Sequence, residues 1–244
     1  MQSRYLKISK TIRRLLIANR GEPAMRAIRT CRKLGIESAV IYYGDDAASD
    51  WVSSADFAYR LFKPEEVEES PYLDGEQIIQ VALDNECQAV WPGWGFLSEE
   101  SSFARETNAA GLIWVGPSDY AMSLLGSKSE SSSLARECGF ETIPEIMLKD
   151  GETLSSEIDM SYPAVIKPAL GGGGKGQVIV QSEDELRSKV DEVARQARTL
   201  YGSGELVIQK YLEGARHIEL QIISDGKGSS CILGSRDCSI QRRN

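Results

Sequence analysis

Histidine occurs once in the 244 residues, at position 217. This excludes a zinc site built on several histidines and a Ser-His-Asp triad drawing on a second one. A metal bound by such a chain would be a hard cation on carboxylates and phosphates, which points to Mg²⁺. There is no apolar run of roughly 18 residues, so no stretch of the sequence reads as a membrane-spanning helix. The opening Met-Gln-Ser-Arg-Tyr-Leu-Lys-Ile-Ser-Lys lacks the apolar core of a secretory signal, although it permits a basic amphipathic targeting arm. The five cysteines, at 31, 87, 138, 231 and 238, are odd in number and form no CxxC pair. They read as reduced thiols, most of them buried as small hydrophobes, in a cytoplasmic protein or, in a eukaryote, one of the mitochondrial matrix. Positive charge is also short: the net charge is −8, which argues against a nucleic-acid partner but not against a small polyphosphate held by a few lysines.

Glycine, in contrast, is concentrated. Residues 164–176 read Ala-Val-Ile-Lys-Pro-Ala-Leu-Gly-Gly-Gly-Gly-Lys-Gly, and Gln177-Val178-Ile179-Val180 resumes a β-branched run. The pattern is strand, glycine loop, strand, with Lys167 before the loop and Lys175 within it. Glycine lacks a Cβ and tolerates positive φ, so its N–H groups can close on an anion, and a polyphosphate is the natural ligand. Three better-known loops fit less well. A dinucleotide fingerprint must open a helix, a Walker loop needs Ser or Thr after its GK, and a kinase carries its lysine on the strand after the loop. On local sequence alone, a flexible surface hairpin with no ligand remains the alternative.

The rest of the chain falls into blocks. Residues 15–18, 37–43, 89–91 and 113–115 read as strands and 23–34, 75–86 and 98–110 as helices, an alternation that predicts a parallel sheet covered on both faces. The turns at Asn19-Arg20-Gly21-Glu22 and Pro92-Gly93-Trp94-Gly95 follow strand ends, where ligands sit in open α/β sheets, although tight turns alone would explain them. Two short helices, 118–125 and 129–138, lead to a polar stretch at 149–161. A compact block follows, with strands 164–167, 177–180 and 205–210 and a long helix 183–201 opened by the capping box Ser182-x-x-Glu185. The inward stripe predicted for that helix is Leu186, Val190, Val193, Ala194, Ala197 and Leu200. Strands 217–223 and 230–234 form a closing hairpin, with Ile218, Leu220 and Ile222 on one face and His217, Glu219 and Gln221 on the other. With no helix following to cover this hairpin, the sequence reads as cut inside a domain.

Five segments occur in an order that carries a family resemblance: Ile17-Ala18-Asn19-Arg20-Gly21-Glu22, Pro92-Gly93-Trp94-Gly95-Phe96-Leu97-Ser98-Glu99, the lysine-glycine loop, Arg216-His217-Ile218-Glu219, and Arg236-Asp237-Cys238-Ser239-Ile240-Gln241-Arg242-Arg243. Over residues 12–244 the chain resembles the N-terminal half of a biotin carboxylase, a component of acyl-CoA, pyruvate and urea carboxylases. The resemblance implies an α/β fold: a Rossmann-like pre-ATP-grasp domain over 1–116, a helical linker over 117–148, an ATP-grasp lid subdomain over 149–211, and the start of a C-terminal ATP-grasp subdomain over 212–244. It implies ATP- and bicarbonate-dependent carboxylation of biotin through carboxyphosphate, with Mg²⁺ as cofactor. The implied partners are a biotin carboxyl carrier, a carboxyltransferase component and a second copy of the chain, with Arg26 and Arg29 as candidate contacts for the last; plain exposed helix arginines are the alternative reading of those two. By the same resemblance Lys128 and Lys167 hold nucleotide phosphates, Gly173 and Gly174 supply lid N–H groups, Gln209, Lys210, Tyr211 and Leu212 form the adenine hinge, and His217 touches the nucleotide. Position 209 is glutamine where the family usually has glutamate. The family's metal-binding glutamates, bicarbonate base and biotin-site arginine match nothing in these residues, so the 244 residues alone are expected to be inactive. Another ATP-grasp ligase of the carbamoyl-phosphate synthase kind, or a non-catalytic nucleotide-binding or assembly subunit, are the competing expectations.

Overall fold

The computed structural model describes residues 12–64, 68–170 and 176–240, and the side chains of 128 and 129 are also outside the description. The chain divides into two compact units, residues 1–131 and 132–244.

The first unit is built on five short parallel strands: β1 (Arg14–Ile17), β2 (Glu37–Tyr42), β3 (Phe57–Arg60), β4 (Ala89–Trp91) and β5 (Ile113–Trp114), in the order β3-β2-β1-β4-β5. Strand side chains alternate between faces, and a parallel sheet buries both. Leu15, Ile17, Val40 and Ala89 therefore pack with α1 (Gly21–Leu34) and with Trp51 of α2 (Asp50–Ser54). Leu16, Ala39, Ile41 and Val90 face the other way, onto α3 (Gly75–Asp84), α4 (Ser101–Ala109) and Met122 of α5 (Asp119–Gly126). The two-faced parallel sheet expected from the sequence is present.

Several details differ. Strand β3 was not expected, because Phe-Ala-Tyr-Arg is too short to show a period; its place on the sheet edge comes from pairing with β2. Helix α1 begins at Gly21, two residues ahead of Pro23, and α4 begins at Ser101 rather than at 98. The apolar periodicity of α1, Ala24, Ala27, Ile28, Cys31 and Leu34, predicts Leu34 as its last inward residue, but Leu34 is exposed in the last turn. Two of the five cysteines, Cys31 and Cys87, are buried and held above the ordinary thiol range by desolvation, each at about 11. The expectation that most are buried fails, since Cys138 and Cys231 are exposed and Cys238 is partly so.

Helix α6 (Lys128–Glu137) crosses the division between the units. The second unit holds a four-stranded antiparallel sheet of β6 (Glu145–Leu148), β7 (Ala164–Pro168), β8 (Val178–Val180) and β9 (Leu206–Lys210), in the order β6-β9-β7-β8. Strand β6 lies where the sequence suggested helical linker. Its Glu-Ile-Met-Leu has helix-forming residues, and edge pairing with β9 overrides that propensity.

Helix α7 (Glu183–Tyr201) covers one face of this sheet, burying Leu186, Val190, Val193 and Ala197 against Leu148, Ala164, Ile166, Val180, Leu206 and Ile208. Ser182 Oγ accepts from the Glu185 N–H, as the capping box requires, while the Glu185 carboxylate accepts from the N–H of Gln181, one residue earlier than expected. Gly202 closes the helix in the left-handed region at φ 75°. Leu200 points out of the core and is exposed. The hairpin of β10 (Ile218–Ser224) and β11 (Ser230–Asp237) is antiparallel, with a bulge after Gln221, and β11 runs three residues further than predicted.

Candidate functional site

In the first unit the strand order reverses beside β1, and the loops after β1 and β4 meet at that point. Open α/β sheets commonly bind ligands there. In this chain a side chain ties the two loops together. Asn19, 1% exposed, donates from Nδ2 to the carbonyls of Pro92 at 2.6 Å and Trp94 at 2.9 Å, and its Oδ1 accepts from the Arg20 N–H at 2.8 Å. Gly93, at φ +71°, lies so close that a Cβ would stand 2.8 Å from Asn19 Nδ2. These polar groups of the Asn-Arg-Gly-Glu and Pro-Gly-Trp-Gly segments are spent on each other, which supports the tight-turn reading of both. Nearby, Asp46 accepts from Arg20 and from the Tyr72 hydroxyl, and Tyr72 is held well above the ordinary phenol range by burial and by that bond. On α1, exposed Arg26 and Arg29 border a shallow depression of about 220 Å³ with Gly21, Glu22, Met25, Asp50 and Trp51.

The second unit presents a different surface. The register sets Glu145 opposite Gln209, and Gln209 opposite Val165; Lys167 lies opposite Val207, two residues along. Directly paired residues and residues two apart share a face, so Glu145, Gln209 and Lys167 stand together on the sheet face away from α7. Their side chains form a chain. Lys167 Nζ donates to Gln209 Oε1 at 3.0 Å, Gln209 Nε2 donates to Glu145 Oε2 at 2.8 Å, and Arg136 Nη1 lies 3.6 Å from Glu145 Oε1. Desolvation pushes the Lys167 ammonium below its ordinary value of 10.5, with the Glu145 charge acting the opposite way. The ammonium thus meets a neutral amide in partly apolar surroundings, with the carboxylate one residue removed. A cation so placed favours an added anion, and these residues fit a nucleotide phosphate.

Of the six singled-out residues whose side chains are described, the structure joins Lys167 and Gln209 by a side-chain hydrogen bond. Lys210 ends the same strand on the opposite face, opposite Ala164. Tyr211 follows, its N–H bonded to the Pro163 carbonyl at 2.8 Å, and Leu212 is exposed. His217 immediately precedes β10: its N–H donates to Ser239 Oγ at 2.9 Å, and Nε2 is 3.8 Å from Glu219 Oε2. Glu219 also pairs across the strands with Arg236 at 2.6 Å. Lys128 opens α6, and its side chain is outside the described residues, as are Gly173 and Gly174 with the whole loop 171–175 and residues 241–244. Glu145 was missed by sequence reasoning. The signal available was its place opposite Gln209, which could not be read until β6 was known to be a strand. Among the described residues no group of three or more His, Cys, Asp or Glu side chains could hold a metal.

Comparison with known proteins agrees with this division. Residues 11–122 match the model of the biotin carboxylase N-terminal domain, and residues 127–244 match that of the carbamoyl-phosphate synthase L chain ATP binding domain. The chain is 42% identical over 241 residues to the alpha subunit of mitochondrial methylcrotonoyl-CoA carboxylase of Dictyostelium discoideum, covering 98% of this chain and 34% of that protein. Among solved structures, the biotin carboxylase domain dimer of Hydrogenobacter thermophilus 2-oxoglutarate carboxylase, in complex with MgADP, ADP and bicarbonate, superposes with a TM-score of 0.84 at 34% identity, over 96% of this chain and 52% of that one. The Campylobacter jejuni biotin carboxylase complex with βγ-ATP gives a TM-score of 0.86 at 36% identity, over 95% and 52%. The chain therefore spans about a third of the curated relative and about half of each solved chain. Residues 11–122 thus match a biotin carboxylase N-terminal domain and residues 127–244 an ATP-binding domain, and the chain shares its α/β fold with solved biotin carboxylases and its sequence with biotin-dependent carboxylases.

Proposed function

We propose that the protein to which this chain belongs is an ATP-dependent carbon–nitrogen ligase that carboxylates biotin on a carrier protein, with bicarbonate as the carbon source and carboxyphosphate as intermediate. The observation that carries this reading is the half-buried Lys167 ammonium, held by Gln209 on the sheet face away from α7. Phosphoryl transfer is catalysed chiefly by positioning and by neutralising charge on the phosphates. Lys167 would supply part of that charge, Lys128 and the lid N–H groups of Gly173 and Gly174 a further part. The strand end at Gln209, Lys210, Tyr211 and Leu212 would meet the adenine, and His217 the nucleotide. Mg²⁺ bound with the nucleotide would supply further charge neutralisation. The proposed partners are a biotin carboxyl carrier, a carboxyltransferase component and a second copy of the chain through Arg26 and Arg29, in the cytoplasm or the mitochondrial matrix.

A second reading, a ligase of the carbamoyl-phosphate synthase kind, is favoured by the family model matched by residues 127–244. The two differ in acceptor. The intact protein, given MgATP and ¹⁴C-bicarbonate, is expected to release ADP and fix label on biotin. Release of ADP driven by ammonia, with label in carbamoyl phosphate, would overturn the biotin reading. Nucleotide binding with no turnover on either acceptor would support a non-catalytic subunit.

A further inference from the structure

The chain Lys167–Gln209–Glu145 contains a direction. A glutamine side chain has a donor end and an acceptor end, whereas an ionised carboxylate only accepts. Glu145 Oε2 takes the Nε2 hydrogen of Gln209 at 2.8 Å, and this turns Gln209 Oε1 towards Lys167, where it accepts from Nζ at 3.0 Å. With the amide reversed, two donors would face each other at Lys167 and two acceptors at Glu145. Glu145 is fixed in its turn: its side chain is 8% exposed, and its other oxygen lies 3.6 Å from Arg136 Nη1. A buried carboxylate on a short edge strand is costly unless it is paired, and here it is satisfied from both sides.

We propose that Glu145 is a positioning residue for the nucleotide site, acting through the Gln209 amide to hold the Lys167 ammonium aimed at a phosphate. The proposal rests on the nucleotide reading above. Glutamine at position 209 makes the remote carboxylate necessary, because an amide cannot itself supply a counter-charge to the lysine. A glutamate at 209 would hold Lys167 directly but would face Glu145 acceptor to acceptor, so in that background removing Glu145 takes away a repulsion rather than a support.

A double-mutant cycle on the intact protein separates this role from a merely structural one. ADP affinity is expected to fall about tenfold for Glu145→Ala in the wild-type background, and by no more than about twofold when Gln209→Glu is already present. Glu145→Gln preserves volume and strand pairing but no longer dictates the amide's direction, so a loss of about threefold is expected. Unchanged affinity in Glu145→Ala, or an equal loss in both backgrounds, overturns the proposal. A second readout needs no nucleotide: the ¹⁵N signal of the Lys167 ammonium, assigned by its loss in Lys167→Arg, reports its hydrogen bond. Disappearance of the slowly exchanging signal in Glu145→Ala supports the relay, and persistence overturns it. A wild-type protein that binds no ADP overturns the nucleotide reading, and the ammonium signal still decides the relay.

Discussion

At the residue scale, two side chains show opposite uses of burial. Asn19 is buried and fully engaged in joining two loops, so its loss leaves the Pro92 and Trp94 carbonyls without that donor. Asn19→Ala is expected to cost about 2 kcal/mol in urea-induced unfolding, and Gly93→Ala a similar amount through its positive φ and the short approach to Asn19. Lys167 is the reverse case. Its desolvation depresses the folded-state pKa below 10.5, so the unfolded chain binds the proton more tightly. The folded state therefore carries a penalty at neutral pH that disappears as pH rises from the depressed value through 10.5. Lys167→Met is expected to equal or exceed the wild type in nucleotide-free stability at pH 7, the two converging towards pH 10.5 in paired denaturation curves. A stability advantage of the wild type at pH 7 would contradict the account of a lysine held at a cost for a ligand.

At the element scale, α7 shows what periodicity reads well and where it stops. The capping box and the stripe Leu186, Val190, Val193 and Ala197 were legible because a long amphipathic helix repeats its signal. Leu200 is predicted on the stripe but is exposed; Tyr201, four residues after Ala197, packs against the core instead. Leu186→Ala is expected to destabilise the second unit by about 3 kcal/mol and Ser182→Ala by about 1 kcal/mol. Leu200→Ala is expected to change stability by less than about 0.5 kcal/mol. Hydrogen exchange of the α7 amides would rank the three. Short edge strands mark the limit of legibility. β3 and β6 have four residues each and no period long enough to read, and only their pairing partners make them strands. Missing β6 also hid Glu145, whose meaning depends entirely on the residue across from it.

At the scale of the molecule, the alternating pattern of the first unit and the glycine-flanked strands of the second were visible in the sequence, because each reflects a simple repeat of burial. The shared face of Lys167 and Gln209 was not: the two are 42 positions apart, and antiparallel register alone brings them together. The net charge of −8 adds a consequence for binding. A local cation within an acidic molecule attracts an anion over a short range, so ADP affinity is expected to depend only weakly on salt compared with binding to a broadly basic protein. Titration at two ionic strengths would check this. The central claim, that the face of the four-stranded sheet away from α7 holds a nucleotide phosphate through Lys167, is tested most directly by calorimetric titration of the intact protein with a non-hydrolysable ATP analogue. The account predicts binding by the wild type and a loss of at least about tenfold in a folded Lys167→Met variant; equal affinity of the two proteins would contradict it.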